Sequence, residues 1–170
     1  MVYRVRIYGD PTLRESAEVV AEFDENLRDL VDNMTETMFE DNGIGLAAPQ
    51  IGISKKIVVI DLSFGKEIGN VMTLINPEIL DMEGKCSLEE GCLSVPGIYE
   101  QILRPENIRV KYQNIDGDEL EKDVDGFLAR VIQHESDHLK GVLFVDRLSA
   151  VKRNLLAKTL RSLAEGGDSN

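Results

Sequence analysis

Positive charge is scarce in this chain: its 170 residues hold 19 Lys and Arg against 31 Asp and Glu, a formal net charge of -12. That balance excludes a broad surface gripping nucleic acid by phosphate neutralisation, so direct DNA binding is not expected. Long apolar runs are also lacking. The longest clean one is Ile57 to Ile60, far short of the roughly 18 residues of a membrane span, so no membrane association is expected. The opening MVYRVRIYGD alternates apolar and charged side chains where a secretory signal would place a continuous apolar stretch behind a basic start. It reads as a strand. Cysteine is limited to Cys86 and Cys92, which with no export signal points to a reducing cytoplasm and two thiols, a Cys86–Cys92 disulfide being the alternative. Repeats and low-complexity segments are absent. The chain therefore reads as one domain over 1–164, with residues 165–170 (EGGDSN) as a flexible tail.

What is present falls into separate runs of helix and strand. Leu27, Leu30, Val31, Met34 and Met38 share one helical face, with Asp24 as N-cap and Gly43 as terminator. Strands are expected at Lys56 to Leu62, Val71 to Asn76 and Asn107 to Gln113, with a hairpin turn at Asp116-Gly117. A second helix is expected over about Gly126 to Lys140, bounded by Asp123 or Asp125 and by Gly141. A last one runs from the cap Ser149 to Ala164, with Val151, Leu155 and Leu156 among its buried positions. The predicted class is α+β: mixed, largely antiparallel sheets around a central metal-binding helix, flanked by an N-terminal and a C-terminal helix.

Chemistry concentrates on that central helix. Phe127, Val131, His134 and His138 recur at spacings of four, three and four and form one stripe. Within it stands His134-Glu135-x-x-His138, holding both histidines of the chain. Imidazoles one turn apart can bind one cation from the same side, and Glu135 at the flank can take a proton from water without being a ligand. A metal that keeps one position open needs a third protein ligand. Cys92 is the best candidate, in an EEGCLSVPG segment whose Gly91 and Pro96 suggest an irregular loop; Cys86 reads as structural. The third segment is Gly43 to Gln50 (GIGLAAPQ), whose small residues clear space beside the backbone. It reads as a substrate-facing strand, or else as a Gly-rich turn with Gln50 merely solvated.

Taken together, GIGLAAPQ, EGCLS and QHESDH closely resemble the three signature motifs of the peptide deformylase family, and the resemblance runs from about Ile7 through DPTLR to about Ser149. It implies that Cys92, His134 and His138 are metal ligands, that Glu135 is the acid/base, and that Gln50 and the Leu93 N–H stabilise an oxyanion. It implies a divalent cofactor, iron(II) by preference, with zinc, nickel or cobalt as substitutes. The implied reaction removes the formyl group from the N-terminal methionine of nascent N-formylmethionyl polypeptides. Gly45 and Leu46 would wall a cramped formyl site, while Ile44, Phe127 and Val131 would receive the methionine side chain. Residues 43 to 46 would pair with the peptide as an added strand. Ribosome contact through a C-terminal helix made basic by Lys152, Arg153, Lys158 and Arg161 is a further expectation.

Two departures from well-known members stand out. Tyr99 lies near where they often carry an arginine, and Arg130 replaces an apolar residue found in some; Arg130 is given no role. Arg104 and Asp137 are expected to form an ion pair bracing the cysteine segment against the metal helix. A zincin-type metallopeptidase fits the helix motif equally well, but usually takes its third ligand downstream, where this chain has no histidine. A binding or regulatory protein with a purely structural metal would leave Glu135, Gln50 and the glycines unexplained.

Overall fold

The structure, a computed structural model, describes residues 1–67 and 69–166. Its longer elements, in order, are α1 (Glu25–Glu40), β1 (Gly45–Ala47), β2 (Ile57–Ile60), β3 (Met72–Glu83), β4 (Cys86–Cys92), β5 (Val95–Arg104), β6 (Asn107–Gln113), β7 (Glu119–Asp125), α2 (Gly126–His138) and α3 (Ala150–Ala164). Short 3-10 turns lie at Pro11–Arg14, Ala48–Ile51 and Phe144–Arg147. An antiparallel five-stranded sheet runs β1-β2-β3-β6-β7, and β4 and β5 form a separate hairpin. The α+β class is as the sequence predicts.

Side-chain alternation along the strands explains how the layers stack. In β2, Val58 and Ile60 pack with Ala129, Val131 and Ile132 of α2, whereas Ile57 and Val59 pack with Val31, Met34 and Met38 of α1. A strand covered on both faces has no polar side, which is why IVVI is continuous. The hairpin builds a third cluster, with Val95, Ile98 and Ile102 against Phe144, Leu160 and Leu163. Helix α2 packs on the sheet through Ala129, Val131 and Ile132 and is tied to the hairpin by hydrogen bonds of Arg104 and Arg130.

Several boundaries differ from expectation for physical reasons. Residues 1–7 form no strand: Tyr3, Val5 and Ile7 do turn inward, but the Arg6 and Tyr8 N–H groups bond to Gln50 O and Ser94 O, on two separate segments. The alternation is real; a continuous ladder is not. Strand β3 extends well past Asn76, bending through register shifts between Ile75 and Glu78 and between Ile79 and Asp81. Helix α1 begins on the Asp24 cap, which accepts from Leu27 N at 3.0 Å, but Gly43 is not its left-handed terminator. Asn42 takes that conformation (φ 55°), and Gly43 N–H follows with a bond to Met38 O, the usual closing pair of a helix C-terminus.

Helix α3 starts on Ser149 as predicted, yet its buried face is misassigned by the sequence. Val151 and Leu155 are 69% and 78% exposed, and Leu160 and Leu163 are the buried ones. At 3.6 residues per turn Val151 and Leu155 share one side, while Leu156, Leu160 and Leu163 share another that meets the hairpin. Of the expected tail, Glu165 and Gly166 close α3, and 167–170 lie outside the described residues. Cys86 and Cys92 are both free thiols.

Candidate metal centre and active site

Three elements converge on one cavity of about 400 Å³, open to solvent on one side. Helix α2 brings His134 and His138 one turn apart, their ring centroids separated by 5.2 Å. Strand β4 ends on Cys92, whose Sγ lies 3.3 Å from His138 Nε2. The segment was expected to be an irregular loop, but it is the turn of the β4–β5 hairpin, with Cys92 opposite Val95 and a register shift just before it. Gly91 has another reason to be glycine: a Cβ there would fall 2.6 Å from the Tyr99 ring.

The ligand atoms of Cys92, His134 and His138 all lie within 4.8 Å of one another. Donors sharing one ion at about 2.0–2.3 Å sit on the order of 3.5 Å apart, so small side-chain adjustments complete the set. The second nitrogen of each ring bears on the fit. His134 Nδ1 is engaged at 2.9 Å by Glu90 Oε1, which leaves Nε2 for an ion. His138 Nε2 faces Cys92, and its buried Nδ1 has no hydrogen-bond partner among the described residues. Burial, then the charge of His134, pushes the His138 pKa well below the usual histidine value, so its ring is the neutral form a metal requires. Burial also opposes charge on His134, but hydrogen bonds to Cys92 and Glu90 outweigh it and raise its pKa. An ion binding at His134 would therefore displace a proton from it.

Beside these donors sits Glu135, 4% exposed, with Oε2 buried and without a hydrogen-bond partner among the described residues. Burial is the main cause raising its pKa to about 7, with Glu90 adding to it and His134 opposing. A carboxyl poised near neutrality can both take and give a proton there. Its position depends on Gly45: a Cβ on that residue would meet Glu135 Oε1 at 2.6 Å.

Gln50 is 1% exposed and fixed at both ends, which overturns the alternative of a solvated side chain. Its Oε1 accepts from Ala47 N–H at 2.9 Å, and its Nε2 points to Ser94 Oγ at 3.1 Å and Cys92 Sγ at 3.5 Å. Gly43, Ile44, Leu93, Phe127 and Val131 line the cavity together with Gln50, Cys92, His134 and Glu135. Leu46 does not. Along β1, Ala47 packs on the α2 side while Leu46 packs on the α1 side, fully buried. Strand alternation turns its side chain away from the cavity, so it walls nothing there.

Sequence reasoning missed the groups around the ligands. Glu90 is 7% exposed and accepts from Arg104 Nε and Nη2 (2.6 and 2.9 Å), Arg130 Nη1 (2.5 Å) and His134. The expected Arg104–Asp137 pair is present at 2.9 Å, and Asp137 also takes two bonds from Arg147. A carboxylate two residues before the candidate thiolate, EGC, was the available sign for Glu90. Nothing local marked Arg130 as its partner.

Fold and donors together define a class: an α+β protein in which a strand-borne cysteine joins a helix-borne His-Glu-x-x-His set in a three-donor group that could hold one metal ion, with a buried carboxylate beside it. The chain belongs to the polypeptide deformylase family, whose description matches residues 2–154. It is 51% identical over 168 residues to the peptide deformylase of Acidobacterium capsulatum, covering 99% of each chain. Over 164 residues it is 48% identical to that of Thermotoga maritima, covering 96% of this chain and 97% of the relative. The crystal structure of peptide deformylase from Thermus thermophilus superposes with a TM-score of 0.90 at 43% identity, covering 98% and 97% of the two chains.

Proposed function

We propose that this protein hydrolyses the N-formyl group from the terminal formylmethionine of newly made polypeptides in the cytoplasm, releasing formate and a free methionyl amine. Family membership supports the reaction. The observation that carries the residue assignment is Glu135: a buried carboxylate with an unpartnered oxygen, seated against Gly45 and next to three converging donors.

Cys92, His134 and His138 would hold one divalent ion, iron(II) in the native enzyme, with zinc, nickel or cobalt as substitutes compatible with a thiolate and two imidazoles. When bound, the ion supplies Lewis acidity that makes water a nucleophile at neutral pH. Glu135 takes the proton from the attacking water, for which it must be ionised at the start. Negative charge growing on the formyl oxygen meets Gln50 Nε2 and the Leu93 N–H. The first is already aimed by the Ala47 and Ser94 bonds, so little reorganisation accompanies the reaction. Glu135 then returns its proton to the departing amine. The methionine side chain enters between Ile44, Phe127 and Val131, and the peptide lies along residues 43–46, where Leu46 contributes backbone alone.

The test is formate release from formyl-Met-Ala-Ser by anaerobically prepared, iron(II)-loaded protein. Glu135→Gln should lower the rate a hundredfold or more while retaining metal; an unchanged rate would remove Glu135 from the mechanism. No formate from folded, loaded wild type would remove the activity itself.

Contact with the ribosome through α3 is part of the same reading. Arg153, Lys158 and Arg161 are exposed on α3, while Lys152 is paired with Glu100 at 3.1 Å, in an otherwise acidic protein. Cosedimentation with ribosomes should be lost in Lys158→Glu/Arg161→Glu; its absence in the wild type at every salt concentration would reject the contact.

A further inference from the structure

Arg130 is 3% exposed, yet it is a cation on the face of α2 that also carries a candidate metal ligand. A buried guanidinium is costly unless its donors are used. Here they are used on two strands at once: Nη1 bonds Ile102 O at 2.9 Å and Glu90 Oε2 at 2.5 Å, and Nη2 bonds Cys86 O at 2.6 Å. Cys86 and Glu90 belong to β4 and Ile102 to β5, so one side chain of α2 is tied to both strands of the hairpin.

One turn further along α2, His134 reaches the other oxygen of the same carboxylate, Glu90 Oε1, at 2.9 Å. Arg130 and His134 therefore close on Glu90 as an i, i+4 fork. The fork joins the helix bearing two of the metal donors to the strand that, two residues after Glu90, presents the third. Arg104 also grips Glu90, but it stands on the hairpin itself and cannot set the distance between hairpin and helix through that contact. Its bond to Asp137 crosses to α2 one turn beyond His134, on the other side of the ligand.

We propose that Arg130 is a positioning residue for the metal centre: by anchoring Glu90 to α2 and to both hairpin strands, it fixes the His134 ring with Nδ1 engaged and Nε2 presented, and sets Cys92 at its distance from the two histidines. This rests on the reading of Cys92, His134 and His138 as ligands, not on the substrate. Lysine cannot replace it fully. An ammonium lacks the planar fork that reaches a carboxylate and two separate carbonyls together.

The test compares wild type, Arg130→Met and Arg130→Lys by competition of zinc and nickel against a chelator, and by nitrogen chemical shifts of the His134 ring in metal-free and zinc-loaded protein. Outer partners of metal ligands typically contribute 10- to 100-fold in metal affinity. Arg130→Met should fall in that range with His134 Nδ1 shifts altered, and Arg130→Lys should lie between it and wild type. Affinity within twofold of wild type and unmoved His134 shifts in both variants, whatever happens to thermal stability, would overturn the proposal. If Arg130→Met does not fold, Arg130→Lys decides by the same readouts. Because neither readout uses formate release, failure of the deformylase reading would leave this result standing, and the reverse also holds.

Discussion

At the scale of the residue, the site depends on small backbones as much as on charged side chains. Gly45→Ala would place a methyl 2.6 Å from Glu135 Oε1 and push the carboxylate out of line. A misplacement near 1 Å can cost about a hundredfold in rate, so formate release should fall by tens to hundreds of times with little change in melting temperature. The pKa of Glu135 makes a second prediction for metal-free protein. Its folded value of about 7 lies above the ordinary 4.5, so its contribution to stability is fully present below pH 4.5 and is lost as pH rises through about 7. The span corresponds to an upper bound on the order of 3 kcal/mol. Denaturant titrations should therefore show a smaller loss of stability between pH 4.5 and 7 in Glu135→Gln than in wild type. Parallel curves would mean the carboxyl is not held in its neutral form. His134, Glu135 and His138 were legible from spacing alone, because a helix puts i and i+4 on one side whatever surrounds it. The side chains that hold them were not: Glu90 and Arg130 are 40 residues apart in the chain and share no local pattern.

At the scale of the element, the hairpin is joined to α2 mainly by buried ion pairs. Arg104, 2% exposed, bonds Glu90 twice and Asp137 once. Arg104→Ala leaves buried carboxylates short of their partner, which costs about 3–5 kcal/mol in comparable cases. Chemical denaturation should register that loss, and the variant should also release metal faster; unchanged stability and retention would show that the hairpin is held by its apolar cluster alone. Glu90 adds a pH signature of opposite sign. Burial raises its pKa, but the His134 and Arg104 hydrogen bonds prevail and lower it to about 2, so its contribution is present above pH 4.5 and lost as pH falls toward 2. Element types were read correctly for helices and most strands, while faces and ends were harder. Val151 and Leu155 look like core residues on composition, but which side of α3 is buried depends on where the hairpin lies. The Cys92 segment looked like a loop because Gly91 and Pro96 are loop residues elsewhere. Here glycine makes room for the Tyr99 ring, and Pro96 is accommodated within β5.

At the scale of the whole molecule, the candidate metal donors stand near separate apolar clusters built mostly from other residues. The sheet packs with α1 and α2 through Ile57 to Ile60, and the hairpin packs with α3 through Ile98 and Leu160. Removing the metal with a chelator should leave helix and sheet content intact by circular dichroism. Melting temperature should still fall, since an ion at a thousand times its dissociation constant stabilises by about 4 kcal/mol. Global unfolding on chelation would instead make the ion part of the core. The same arrangement divides what can be known from each source. The α+β class, the His-Glu-x-x-His helix and the family were legible in the sequence, and Cys92 was marked there as the candidate third donor, because these rest on local periodicity and on short motifs. That Leu46 faces away from the cavity, that Gln50 is buried and aimed, and that Arg130 joins α2 to the hairpin came from packing. Each of these depends on which surfaces meet when distant segments pack, and neither spacing nor composition encodes that directly.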